Sequence, residues 1–217
     1  MKQELLDTSC EIVDFTTGKS ANKSLLCKKF GLNEALPLFV FIGRLVNEKG
    51  ADLMPGVLYK SLLKKDCSVF ILGEGKESIE SELKTLSIHF SKNYASVIGF
   101  DEALAHLLYA AADFLLMPSR VEPCGLNQMY ALRYGAIPIV RRTGGLNDTI
   151  IDIGDDGFGI CHVQATVKDI SDSMLRAKKL YENKTELKRI IKKCMRIDHS
   201  WANSAQEYLT LYKSLTP

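Results

Sequence analysis

Phe114-Leu115-Leu116-Met117-Pro118-Ser119-Arg120-Val121-Glu122-Pro123-Cys124-Gly125-Leu126-Asn127-Gln128 reads as a strand, a tight loop and the start of a helix. The apolar run stops at Pro118, which has no N–H to give to a sheet ladder. A carboxylate, Glu122, precedes Pro123-Cys124-Gly125, and the spacing predicts a helix over 125–134. Free backbone N–H groups and the positive end of the helix dipole favour an anion at that start. A carboxylate beside an anion site suggests a ligand bearing both hydroxyls and phosphates. A nucleotide sugar fits that description.

Outward from this stretch, short apolar runs alternate with helical spacing. Leu38-Phe39-Val40-Phe41-Ile42 reads as a strand buried on both faces, followed by a helix over 51–65 with Leu53, Val57, Leu58 and Leu62 on one side. Strands over 68–72 and 94–98, a helix reaching about Phe90 and another over 102–111 lead to the quoted stretch, and 137–140 completes the core strands. This rhythm predicts an α/β fold, a Rossmann-like parallel sheet with helices on both faces. Ligands of such sheets bind beyond the carboxyl ends of the strands, where every motif singled out here falls. Residues 1–36 form a polar segment with a short helix over 22–31, and the regular domain runs over 37–217. Its tail reads as three helices without intervening strands, over 166–181, 185–195 and 200–215. In the last, Trp201, Ala205, Tyr208, Leu209 and Tyr212 make one apolar stripe. The stripe is expected to pack on the sheet domain; the alternative is that it covers a surface of another domain.

Composition excludes several classes. The 217 residues are 46% hydrophobic and 25% charged, ordinary for a globular protein of one to one and a half domains. A net charge of +2 gives no reason to invoke nucleic acid or membrane partners. Six cysteines without a CxxC pair suit reduced thiols in a cytoplasmic protein better than disulfides or a zinc site. No leader and no apolar run of membrane-spanning length stands out, so a soluble, cytoplasmic location is expected. Gly73-Glu74-Gly75 lacks a third glycine and follows the second strand, which argues against a dinucleotide fingerprint.

Individual side chains leave alternatives open. Arg44 and Lys49, five apart across a strand-to-helix turn, can converge on one dianion, or be a solvated arginine and a capping lysine. Glu122 can serve as general base, metal ligand or hydroxyl acceptor, or pair with Arg120 on the surface. Dispersed histidines and the lack of a nearby Asp or His cluster speak against a metal. Cys124 invites a nucleophile reading, but no histidine follows at a suggestive spacing; a small packed side chain whose backbone matters is expected instead.

Taken together, Gly43-Arg44-Leu45-x-x-x-Lys49-Gly50, Glu122-Pro123-Cys124-Gly125-Leu126 and Arg142-Thr143-Gly144-Gly145-Leu146 resemble the C-terminal half of bacterial glycogen synthases and plant starch synthases. The resemblance covers about residues 18–217. Those enzymes are retaining glycosyltransferases of the GT-B fold, two Rossmann-like domains facing a cleft. The resemblance implies that Arg44 and Lys49 hold the diphosphate and stabilise the leaving nucleoside diphosphate. It implies that Glu122 accepts hydrogen bonds from the donor sugar. Backbone amides near Cys124 and Gly125 then approach that sugar, and those of Leu126 and Asn127 the phosphate. Phe100, after the third strand, is expected against the nucleotide base or, failing that, in the core. Thr143 and Gly144 complete the expected donor-binding set. Tyr130 stands where many related transferases carry a second glutamate that contacts ribose, a departure that agrees with the synthase branch.

The resemblance further implies a donor, ADP-glucose or UDP-glucose, and no cofactor or metal. The α-glucan acceptor would bind through an N-terminal domain not recognisable upstream of Pro37. The chain is therefore expected to bind donor but hardly turn over alone. A retaining transferase with another donor and a stand-alone nucleotide-sugar-binding module are the alternatives.

Overall fold

The computed structural model describes residues 15–215; Cys10 and the rest of residues 1–14 lie outside them. Six strands form one parallel sheet: β1 (Leu38–Ile42), β2 (Ser68–Gly73), β3 (Tyr94–Ile98), β4 (Phe114–Met117), β5 (Ile137–Arg141) and β6 (Ile160–His162). Their order is β3-β2-β1-β4-β5-β6. All of β2 and β4 and most of β1 are buried, as continuous apolar runs require when helices cover both faces.

The helices are α1 (Phe15–Phe30), α2 (Met54–Leu62), α3 (Glu77–His89), α4 (Glu102–Ala111), α5 (Asn127–Arg133), α6 (Gly144–Thr149), α7 (Val167–Glu182), α8 (Lys184–Met195) and α9 (Trp201–Leu215). Crossovers carry the chain outward from β1 to β3, then back to β4 and outward again to β6. The helices form two groups: α2 packs with α3 and α7, whereas α4 packs with α1 and α5. The reversal falls between β1 and β4. That junction opens a crevice at the carboxyl ends of the two strands.

Local chemistry sets the boundaries. Asp101 caps α4 by accepting from the Leu104 N–H at 2.9 Å, and Thr166 caps α7 by accepting from the Asp169 N–H at 3.2 Å. Residues 51–65 split into a 3₁₀ turn, Ala51–Leu53, and α2, whose first turn holds Pro55.

Four expectations change. The helix expected over 22–31 begins at Phe15, because Phe15, Leu26 and Cys27 bury against the domain. Residues 142–165, read without elements, hold α6 and β6, of six and three residues, too short to show periodicity. Helix α5 starts at Asn127 rather than Gly125. The apolar stripe of α9 does not pack on the sheet domain: no residue of α9 is buried, and Trp201 is 90% exposed.

Candidate functional site

The switch point between β1 and β4 is built from three chain segments. After β1, Gly43 and Arg44 lead into a 3₁₀ turn, Asn47–Lys49. After β4, the loop from Pro118 folds onto that turn, with the Arg120 and Val121 N–H groups donating to Glu48 O at 2.8 and 3.2 Å. These bonds bring Lys49 to Glu122, Nζ to Oε2 at 2.5 Å. Glu122 is buried, and the Ser119 hydroxyl donates to the same oxygen at 3.1 Å. Arg120 is engaged elsewhere. It forks onto both carboxylate oxygens of Asp52, which removes the surface pairing considered for Glu122.

The third segment is the turn after β5. Gly145 N–H donates to Glu122 O at 3.0 Å. Gly144 has φ +42°, and a Cβ there would stand 2.2 Å from Glu122 O; one on Gly145 would stand 2.1 Å from Cys124 O. Only glycines allow the two backbones this approach. Arg141 donates from Nε to Ser119 O at 2.8 Å and from Nη2 to Arg120 O. Gln128 donates from Nε2 to Gly125 O at 2.9 Å and to Cys124 O at 3.1 Å. Neither Arg141 nor Gln128 stood among the expected site residues. Both hold the Glu122 loop rather than face the crevice; the position of Arg141, just before the Arg142-Thr143-Gly144-Gly145 motif, was the available signal.

Two adjoining cavities result. The smaller, about 60 Å³, is lined by Lys49, Ser119, Glu122, Gly125 and Leu126. The larger, about 270 Å³, is lined by Arg44, Gly73, Phe100 and Asp101. Ile42, Gly43 and Asn127 belong to both walls. Asn127 is fixed there by donating from Nδ2 to Ile42 O at 2.7 Å. Arg44 is exposed, and its guanidinium has no hydrogen-bond or ion-pair partner among the described residues. Phe100 is 85% exposed at the cavity edge, not in the core.

The remaining expected residues fall outside the cavities. Cys124 is exposed rather than packed, its thiol directed at Gly125 O. Among the buried thiols, burial pushes Cys27 and Cys161 up to about 11, and Cys67 and Cys194 up to about 12. Tyr130 lies among rings, 5.7 Å from Tyr109 and 6.3 Å from His106 between centroids. Thr143 precedes α6, half-buried beside the glycine pair. Among the described residues no group of three or more His, Cys, Asp or Glu is placed to hold a metal, and no helix is long and apolar enough to cross a membrane.

Residues 22–194 match the family described as Glycosyl transferases group 1. A glycogen synthase of Flavobacterium johnsoniae is 51% identical over 214 residues, which cover 98% of this chain and 45% of that protein. A glycogen synthase of Bacillus licheniformis is 40% identical over 200 residues, covering 90% of this chain and 41% of that one. Among solved structures, the catalytic domain of starch synthase IV from Arabidopsis thaliana, bound to ADP and acarbose, superposes with a TM-score of 0.88 at 36% identity. That match covers 98% of this chain and 45% of the plant chain. The chain thus spans under half the length of the curated relatives it matches.

Proposed function

This chain belongs to the group 1 glycosyl transferases, and we propose that it is the donor-binding half of a glycogen or starch synthase. The whole enzyme would transfer glucose from ADP-glucose to the non-reducing end of an α-1,4-glucan with retention of configuration. One observation carries this reading: Arg44, Lys49 and Glu122 line two adjoining cavities at the strand switch point. Likeness to a starch synthase solved with ADP and acarbose supports it.

The adenine base rests on Phe100 in the larger cavity, and the diphosphate lies towards Arg44 and Lys49. Lys49 is held by Glu122. An arriving diphosphate competes for that ammonium and frees the carboxylate to accept from sugar hydroxyls. As the glycosidic oxygen departs with the phosphate, negative charge grows on the leaving group. Preplaced cations stabilise that charge more than they stabilise the intact donor. Two side-chain cations supply the charge here, so donor binding needs no divalent metal. The acceptor glucan binds in the part of the enzyme beyond this chain, and the exposed stripe of α9 is the surface that packs against that part.

Calorimetry with ADP-glucose, UDP-glucose and GDP-mannose, in the presence of a chelator, tests the reading. ADP-glucose should bind best and without metal. Binding that requires magnesium overturns the metal-free site, and preference for GDP-mannose assigns the chain to another transferase. The isolated chain should bind donor yet incorporate no labelled glucose into glycogen, because turnover requires an acceptor held in line. Restoring the upstream domain should restore incorporation.

A further inference from the structure

At the other end of the sheet, a cavity of about 530 Å³ opens between α1 and α8. It shares no lining residue with the two cavities of the donor site. Helix α1 presents Lys19 and Lys23 to it, and α8 presents Lys184 and Lys188. Residues four apart share a helix face, and like charges at that spacing repel. Two such pairs facing one cavity are unfavourable unless their charge is used.

Half of it is used within the protein. Lys19 donates to Ala112 O at 2.7 Å and to Ala110 O and Tyr134 O, carbonyls left open at helix ends. Lys23 donates to Asp113 Oδ2 and to Leu36 O, both at 2.7 Å. The second pair is different. The Lys184 ammonium sits 3.2 Å from the centroid of the Tyr181 ring and has no carboxylate or carbonyl partner among the described residues. Burial, with the neighbouring Lys23 charge, lowers its pKa although Asp113 opposes the shift. Lys188, exposed one turn on, has no ion-pair partner among the described residues either. Of the two carboxylates lining the cavity, Asp113 is engaged by Lys23 and the Leu38 N–H, which leaves only Glu34. Phe15, Ala111, Leu187 and Ile191 supply an apolar wall.

We propose that this cavity is a second ligand site, for a small phosphate monoester. Lys184 and Lys188 take the phosphate, and the apolar wall takes the carbon body. A dianion matches two ammonium groups that no carboxylate among the described residues neutralises, and the volume lies within the range of small-molecule sites. The inference is independent of the donor-site reading.

The test uses the 217-residue chain with ADP present and glucose 1-phosphate as titrant, followed by calorimetry. Glucose 1-phosphate should bind and glucose should not. The double variant Lys184→Gln/Lys188→Gln should weaken binding by roughly 10- to 100-fold, the range for losing charge-assisted contacts. Glu34→Gln should tighten it, and Lys49→Gln should leave it unchanged. Both α8 lysines are exposed, so an unchanged melting temperature of the double variant separates lost binding from lost folding. Absence of binding, equal binding by the double variant, or loss in Lys49→Gln overturns the site. Inorganic phosphate binding as tightly as the ester overturns the assignment to an ester.

Discussion

Lys49 Nζ and Glu122 Oε2 stand 2.5 Å apart across 73 residues of sequence, tying the turn after β1 to the loop after β4. The carboxylate is nearly buried, with 7% of its side chain exposed against 27% for the lysine. A charge so enclosed is tolerated because it is paired and also accepts from Ser119. Within the pair the two charges neutralise each other. On the proposed reading, a ligand phosphate would compete with the Glu122 carboxylate for one ammonium.

Glu122→Gln separates sugar from phosphate recognition. The amide cannot hold Lys49 as the carboxylate does, so ADP should bind as well as before or slightly better. ADP-glucose should lose about 1–3 kcal/mol of affinity, the scale of hydrogen bonds to a charged group. Equal losses for both ligands in calorimetry would place Glu122 beside the nucleotide instead.

Lys49→Ala and Arg44→Ala should part company in stability. Each should weaken ADP binding by about 1.5–3 kcal/mol. Lys49→Ala also strands a buried carboxylate and should cost about 1–3 kcal/mol in urea unfolding. Arg44 is exposed and unpaired among the described residues, so its removal should leave the unfolding midpoint unchanged. A large midpoint shift in Arg44→Ala would make it structural.

Gly144→Ala should displace the Glu122 loop. The added methyl meets Glu122 O at 2.2 Å, at a φ of +42° that alanine disfavours. A loss of about 1–3 kcal/mol in stability is expected, together with weaker ADP-glucose binding. An unaltered affinity would mean that the β5 turn does not position Glu122.

Acid sensitivity should trace in part to His162. Burial lowers its pKa more than the Gln164 carbonyl and Asp169 raise it, and its Nε2 has no hydrogen-bond partner among the described residues. The folded state therefore disfavours the imidazolium, and the unfolded chain takes up the proton first. This contribution to stability is complete above the ordinary histidine pKa, about 6.5, and is lost as pH falls below it. His162→Gln should flatten the fall in unfolding free energy as pH drops below about 6.5. A slope identical to wild type would exclude His162 as its source.

Trp201, the single tryptophan, reports on α9. At 90% exposure it should emit as a water-exposed indole and be quenched readily by acrylamide. Linking the upstream domain should shift the emission to the blue and suppress quenching. No change would show that α9 is not the surface covered by that domain.

Much of the fold was legible because its signals are local. The runs of β1 and β4 and the spacing of α4 matched the structure to the residue, since burial on both faces or along one stripe marks the chain locally. Elements shorter than one period, such as β6 and α6, carry no such imprint. Gly144 and Gly145 stood in a recognisable motif, but their close approach to the Glu122 loop was not legible in it.

Partner choice was not legible. The sequence determined that Arg44, Lys49 and Glu122 sit at strand ends, and that α9 has an apolar face. Only the tertiary structure decided that Lys49 pairs with Glu122, that Arg120 turns to Asp52, and that the face of α9 stays open. The reason is physical. Periodicity records whether a side chain leaves water, a property of the local chain. Which group it then meets depends on loop backbone hydrogen bonds between distant segments, such as those from Arg120 and Val121 to Glu48, and these leave no pattern in the residues between.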